Sequence, residues 1–206
     1  EENSSLKLVF CLAWISQFVL SIIGFNWIFY TAKEFGQLPF IISLSALFLF
    51  ALFANLYIPL SIVFSVWIKR KLKLSKSRTI FLIALTMSLF ERAWPGIFEW
   101  NLGYTLLWAK APWFQWADTI GFLGLSTFIF LIQALFLICY FDKKKTIYFI
   151  PGLALFLTVT YYGGIQKETV WNQTDKTVQF AIVQGNIGNE QKMASEKGGY
   201  FQSFVI

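Results

Sequence analysis

The stretch "WIKRKLKLSKSRTIF", Trp67 to Phe81, decides the fold. It packs six lysines and arginines between two apolar runs, and the character of those runs determines how the cluster is read. Upstream, Phe35 to Ile68 contains no charged residue; downstream, Thr79 to Phe90 contains none either. A hydrocarbon core of about 30 Å needs roughly 20 apolar helical residues to cross. A basic cluster between two such runs is therefore a loop at a membrane face, and lysine and arginine mark the cytoplasmic side.

The same pattern recurs outward from this loop. Leu8 to Ala32 is free of charge, with Asn26 and Trp27 near its far end. In the run after Phe35, Pro39 near the start and Pro59 within it predict a tilted or kinked helix. Thr119 to Phe141 lies clean between Asp118 and Asp142, and Thr146 to Gln166 follows, with Gly163 and Gly164 near its end. The expected spans are thus about 8–32, 38–68, 79–94, 119–141 and 146–166. The third is irregular, because Glu91 and Arg92 interrupt it. Eight strongly apolar residues there contribute about −4 kcal/mol in all, whereas two charges at mid-membrane cost roughly +5 to +7 kcal/mol. Glu91 and Arg92 must lie near a membrane face, or face protein and water within a bundle. The helix should end near Trp94, before Pro95 and Gly96.

Composition agrees. The 206 residues are 57% hydrophobic and 14% charged, below the roughly 25% expected of a soluble domain. The net charge of +6 does not point to nucleic acid, since nine of the seventeen basic residues lie in Lys69–Arg78 and in Lys143–Lys145. With five spans these two connectors fall on one side, the cytoplasmic one, and everything after Gln166 falls on the other. Histidine is absent, which removes Ser–His and Cys–His catalysis from this chain. Cys11 and Cys139 sit in apolar runs and read as small buried hydrophobes, not as a disulfide or a nucleophile.

The outer segment "WPGIFEWNLGYTLLWAKAPWFQWAD", Trp94 to Asp118, holds five of the nine tryptophans. An ordinary interfacial aromatic belt fits this density, and so does a shaped lip that positions a lipid. Pro95, Gly96, Gly103 and Pro112 favour non-helical backbone, which survives at membrane depth only against protein or water. Glu34, Glu91, Glu99 and Asp118 map near the same boundary, with Lys33, Arg92 and Lys110 as available partners. Gly121, Gly124 and Ser126 are small residues spaced for close helix packing.

The C-terminal stretch differs in kind. In "KTVQFAIVQGNIG", Lys176 to Gly188, Val178, Phe180 and Ile182 alternate with Gln179, Ala181 and Val183, the pattern of a strand buried on both faces. One such strand cannot stand alone. The chain also begins on glutamate and ends mid-pattern in "YFQSFVI", so both ends read as cut. The expected fold is an α-helical polytopic membrane domain of about five transmembrane helices, residues 1–166. Residues 167–206 would then carry the first strand of a truncated α/β domain.

Four pieces in order resemble the apolipoprotein N-acyltransferase family: "FNWIFYTAKEFGQLP" (Phe25–Pro39), "FEWNLGY" (Phe98–Tyr104), "APWFQWADTIGFLGLSTF" (Ala111–Phe128) and "VQFAIVQGNIG" (Val178–Gly188). The resemblance implies a bacterial inner-membrane enzyme whose α/β part is a nitrilase-like domain on the periplasmic face. It implies two partners within the bilayer, a phospholipid acyl donor and a diacylglyceryl-lipoprotein acceptor, with no cofactor, no metal and no nucleic acid. The family's catalytic glutamate, lysine and cysteine would lie beyond Ile206, so the chain alone is expected to be inactive. Glu99 stands where many members have proline, and Met193 stands near where some carry tryptophan. Aromatic density on the tail's side makes Trp100, Asn101, Tyr104, Gln115 and Asp118 the candidates for a lipid portal. A non-catalytic platform for a polyprenyl-phosphate glycosyltransferase, or a transporter subunit, are the rival readings.

Overall fold

The structure, a computed structural model, describes residues 5–96, 98, 100–171, 179 and 181. Eight α-helices run through them: α1 Leu6–Gly24, α2 Trp27–Tyr30, α3 Phe40–Phe53, α4 Tyr57–Leu72, α5 Lys76–Ala93, α6 Tyr104–Trp108, α7 Ala117–Phe141 and α8 Lys143–Trp171. A π-helical turn, Thr31–Phe35, extends α2, and a 3₁₀ turn, Pro112–Trp116, leads into α7.

The helices are built inside out. On α1 the buried positions are Ala13, Gln17 and Ser21, one turn apart, while Leu12, Ile15 and Ile23 are exposed. Ser43 and Ala51 of α3, Ser61 and Ser65 of α4, Thr86 of α5 and Ser126 of α7 are likewise buried. Small and hydroxyl-bearing residues at many inner positions, beside Leu47, Leu125 and Ile138, with many other leucines and isoleucines outside, is the arrangement expected where lipid replaces water. Hydrogen bonds within and between helices reach the buried polar side-chain atoms, Glu91 Oε2 excepted among the described residues. Ser65 Oγ and Thr86 Oγ1 are 2.7 Å apart, and the Ser88 and Thr127 hydroxyls pair across α5 and α7. Gln17 donates to the Ala51 carbonyl (3.0 Å) and Asn55 donates to Ser21 Oγ (2.9 Å).

Four stretches among the described residues are long and apolar enough to cross a membrane: Leu6–Gly24, Phe40–Leu72, Pro112–Phe141 and Phe149–Val170. Length and composition thus mark four of the about five expected spans. The difference is α5, which carries Lys76, Arg78, Glu91 and Arg92 at its two ends. It nevertheless packs between α4 and α7, and Ala84 with Phe130 and Ala134 forms the small-residue core that lets α5 and α7 approach.

Prolines and glycines act where the backbone requires them. The run 38–68 is broken at Ala54–Leu56, between α3 and α4. Pro59 has no N–H to reach the Asn55 carbonyl and its ring crowds it, so that carbonyl accepts from Ile58 instead (3.0 Å). Gly121 adopts φ +69°, a left-handed bend inside α7 with open space about it, so its role is conformational and not the close packing its spacing predicted. Nor does the last helix stop at Gly163 and Gly164; α8 continues to Trp171. These glycines admit the 3₁₀ turn: a methyl group on Gly163 would stand 2.7 Å from Trp116 Cζ2, and one on Gly164 would collide with the Pro112 carbonyl.

Both basic connectors lie at one end of the bundle, where Lys76 Nζ sits 3.5 Å from the centre of the Phe141 ring. The aromatic segment caps the other end. The expected strand, Lys176–Gly188, lies outside the described residues except for Gln179 and Ala181, and no strand occurs among those described.

Candidate functional site

The end of the bundle opposite the basic connectors holds a cavity of about 860 Å³. Its floor and walls come from three places far apart in sequence. The end of α1 supplies Phe25; the α3–α4 break supplies Phe50, Phe53, Asn55 and Tyr57; the end of α5 supplies Glu91, Arg92 and Trp94. The lip from Pro95 to Tyr104 closes over them with Phe98, Trp100, Asn101 and Tyr104.

Glu91 ties the lip to the bundle. Its Oε1 accepts from the Leu102 backbone N–H (3.2 Å) and from the Tyr57 hydroxyl (3.4 Å), while its buried Oε2 has no hydrogen-bond partner. The lip's turn is fixed a residue later. Asn101 Oδ1 accepts from the Gly103 N–H (3.0 Å) and from the Ser126 hydroxyl (3.3 Å), and Ser126 Oγ accepts from the same N–H (2.9 Å). Only glycine fits at 103, because a Cβ there would meet the Phe122 carbonyl. Aromatic contacts complete the lip. Tyr104 stacks on Phe122 with centroids 4.2 Å apart, and Trp100 meets Phe25 edge-on at 5.3 Å.

Of the five residues expected to shape a portal, Trp100, Asn101 and Tyr104 line the cavity, whereas Gln115 and Asp118 do not. Gln115 lies in the 3₁₀ turn and Asp118 in the first turn of α7, on the flank facing α8. There Asp118 bonds Lys167 of α8 through both carboxylate oxygens (2.9 and 2.8 Å). Trp113 Nε1 donates to Thr160 Oγ1 (3.0 Å) and Trp116 Nε1 to the Thr160 carbonyl (2.9 Å). Trp94 Nε1 donates to the Ala54 carbonyl (3.0 Å). Three of the five segment tryptophans thus spend their N–H on protein, which a simple headgroup belt would not require, while Trp108 is 83% exposed. Glu99 lies outside the described residues.

Phe25, Tyr57 and Ser126 were not foreseen at the site. Glu91 and Arg92 carried a signal, the energetic cost of two charges inside an apolar run; their partners, 34 and 11 residues away from Glu91, carried none. Among the described residues no cluster of histidine, cysteine, aspartate or glutamate could hold a metal ion.

The family described as apolipoprotein N-acyltransferase N-terminal domain matches residues 1–135, which include α1 to α5, the lip and much of α7. The chain belongs to the apolipoprotein N-acyltransferase family. It is 42% identical over 208 aligned residues to the apolipoprotein N-acyltransferase of Bdellovibrio bacteriovorus, covering all of this chain and 38% of that protein. It is 28% identical over 181 residues to the apolipoprotein N-acyltransferase of Shewanella oneidensis, covering 84% of this chain and 33% of that protein. The chain therefore spans little more than a third of the length of these N-acyltransferases. No solved structure matches it. Within the family match fall all the residues of the cavity and its lip, so the site described above belongs to the part this chain shares with the N-acyltransferases.

Proposed function

We propose that this chain is the membrane part of an enzyme that moves an acyl chain from a phospholipid, by way of a cysteine thioester, to the α-amino group of a lipoprotein's diacylglyceryl-cysteine. Its likeness to the Bdellovibrio enzyme along every residue carries the reading. The cavity supports it, being large enough for part of a lipid and lined mostly by aromatic and aliphatic side chains. In this reading the end bearing Lys69–Arg78 faces the cytoplasm of a bacterial inner membrane. The lip and the end of α8 then face the periplasm.

The described residues offer no nucleophile at the cavity. Cys11 is exposed on α1 and Cys139 lies near the far end of α7, and neither lines it. The thiolate, its carboxylate base and the lysine that steadies the oxyanion would belong to a nitrilase-like domain starting near residue 167. Trp100, Asn101 and Tyr104 would form the portal through which the donor reaches that domain. Gln115 and Asp118 would act on the other flank, where Asp118 holds α8, the helix that leads to it.

The test is acyl transfer to a diacylglyceryl-lipopeptide by the full-length protein in phospholipid micelles. Trp100→Ala with Tyr104→Ala should slow transfer about tenfold or more, with folding intact. Unchanged turnover removes the portal; absence of transfer by the unaltered protein removes the enzymatic reading and returns the platform or transporter.

A further inference from the structure

Among the described residues that line the cavity, Arg92 carries the one positive charge. It occupies the last turn of α5, its side chain is exposed and lines the cavity, and among the described residues it has neither an ion-pair nor a hydrogen-bond partner. The carboxylate next to it in sequence does not serve: Glu91 is turned to Leu102 and Tyr57 and makes no ion pair with Arg92. Lys33 and Glu34 lie near each other (3.9 Å), and Lys167 is held by Asp118. The cavity's polar side chains, Asn55, Tyr57, Glu91 and Asn101, line it together with Arg92, while Phe25, Leu49, Phe50 and Phe53 form an apolar wall along its α1–α3 side.

We infer that Arg92 anchors the phosphodiester of the phospholipid that enters this cavity, with an acyl chain lying along Phe50 and Phe53; the inference rests on the lipid-donor reading above. An exposed guanidinium without a protein partner at the end of a bilayer-crossing bundle is open to an anion, and the headgroup level of a bilayer supplies phosphate. Its planar fork of N–H donors matches two phosphate oxygens at once, which lysine's single ammonium cannot do. The polar end and the apolar wall of the cavity then set the direction in which the lipid lies. Arg92 is a binding and orienting residue, and no bond of the donor is broken at it.

The experiment compares two acyl donors of equal chain length in the full-length protein: a phospholipid and a nitrophenyl ester, which has no phosphate. Arg92→Gln should lower kcat/KM about tenfold or more with the phospholipid, mainly through KM, and change it less than about twofold with the ester. Arg92→Lys should fall between the two proteins with the phospholipid. Equal losses with both donors would overturn the inference and make Arg92 a structural residue, for instance one paired with a carboxylate of the downstream domain. An unchanged KM for phospholipid would overturn it as well. Native mass spectrometry of the purified protein gives an independent readout, in which phospholipid retention falls on Arg92→Gln while diacylglycerol retention does not. Such selective loss of phospholipid by a protein that transfers no acyl chain would sustain the anchor and refute the acyltransferase reading.

Discussion

Replacing Glu91 with alanine should free the lip from the bundle. The carboxylate holds two donors, the Leu102 N–H at 3.2 Å and the Tyr57 hydroxyl at 3.4 Å. Hydrogen bonds to a charged acceptor contribute about 1.5–3 kcal/mol, and the longer Tyr57 contact lies at the weak end. Alanine also leaves the Leu102 N–H without a partner. Against this, the unpartnered Oε2 is itself a cost that alanine removes. The net loss for local opening of the lip is about 2–3 kcal/mol, which corresponds to roughly 30- to 140-fold faster exchange of the amides it protects. Hydrogen–deuterium exchange of a peptide containing Leu102 and Gly103, measured in detergent, reads this directly. Glu91→Gln keeps an acceptor for both donors and should lose much less, about 1 kcal/mol or under. Tyr57→Phe should speed exchange only slightly. If Glu91→Ala leaves the exchange of Leu102 and Gly103 unchanged, or if Glu91→Gln is as damaging as alanine, the latch does not exist.

Other consequences are smaller or more local. Gly121→Ala, at φ +69° and ψ 168°, should cost about 1–3 kcal/mol, seen as a lower midpoint of thermal unfolding in detergent. Gly164→Ala should push α8 off the Pro112 carbonyl and shift the emission of Trp113 and Trp116 to the red as their contacts with Thr160 open. A double-mutant cycle on Ser65→Ala and Thr86→Val should return a coupling near 0.6 kcal/mol, and a value well above about 1.7 kcal/mol would contradict a role as ordinary interhelical glue. Asp118→Asn should leave the midpoint of thermal unfolding nearly unchanged, because the pair with Lys167 is solvent-exposed, and added salt should shrink any shift.

Charge and apolar length made the helices legible. The limits of α5 and α7 follow from Glu91, Arg92, Pro95, Asp118 and Asp142, each a residue whose cost or geometry ends a span. The difference over α5 as a span arises because charges at both its ends lower its hydropathy, while its place between α4 and α7 is a tertiary fact. Glycines were harder to read. A glycine pair reads equally as a helix end or as a close approach, and at Gly163 and Gly164 the deciding neighbours, Trp116 and Pro112, lie about fifty residues away. The site was half legible. Aromatic density pointed to Trp100, Asn101 and Tyr104, but the same density drew in Gln115 and Asp118, which belong to the α8 flank. Nothing local to Tyr57 or Ser126 marks them, since their roles come from the contact of Tyr57 with Glu91 of α5 and of Ser126 with the lip.

Acyl transfer to lipoproteins through this cavity requires that it open on the membrane face opposite the basic connectors. With every native cysteine of the full-length protein replaced by alanine, Cys11, Cys139 and the downstream nucleophile included, single cysteines at Ser75 and at Trp108 can be labelled in intact cells with a membrane-impermeant maleimide. The cysteine at 108 should react from outside the inner membrane, and the one at 75 should react only after that membrane is opened. Labelling of position 75, with position 108 protected, would contradict the account.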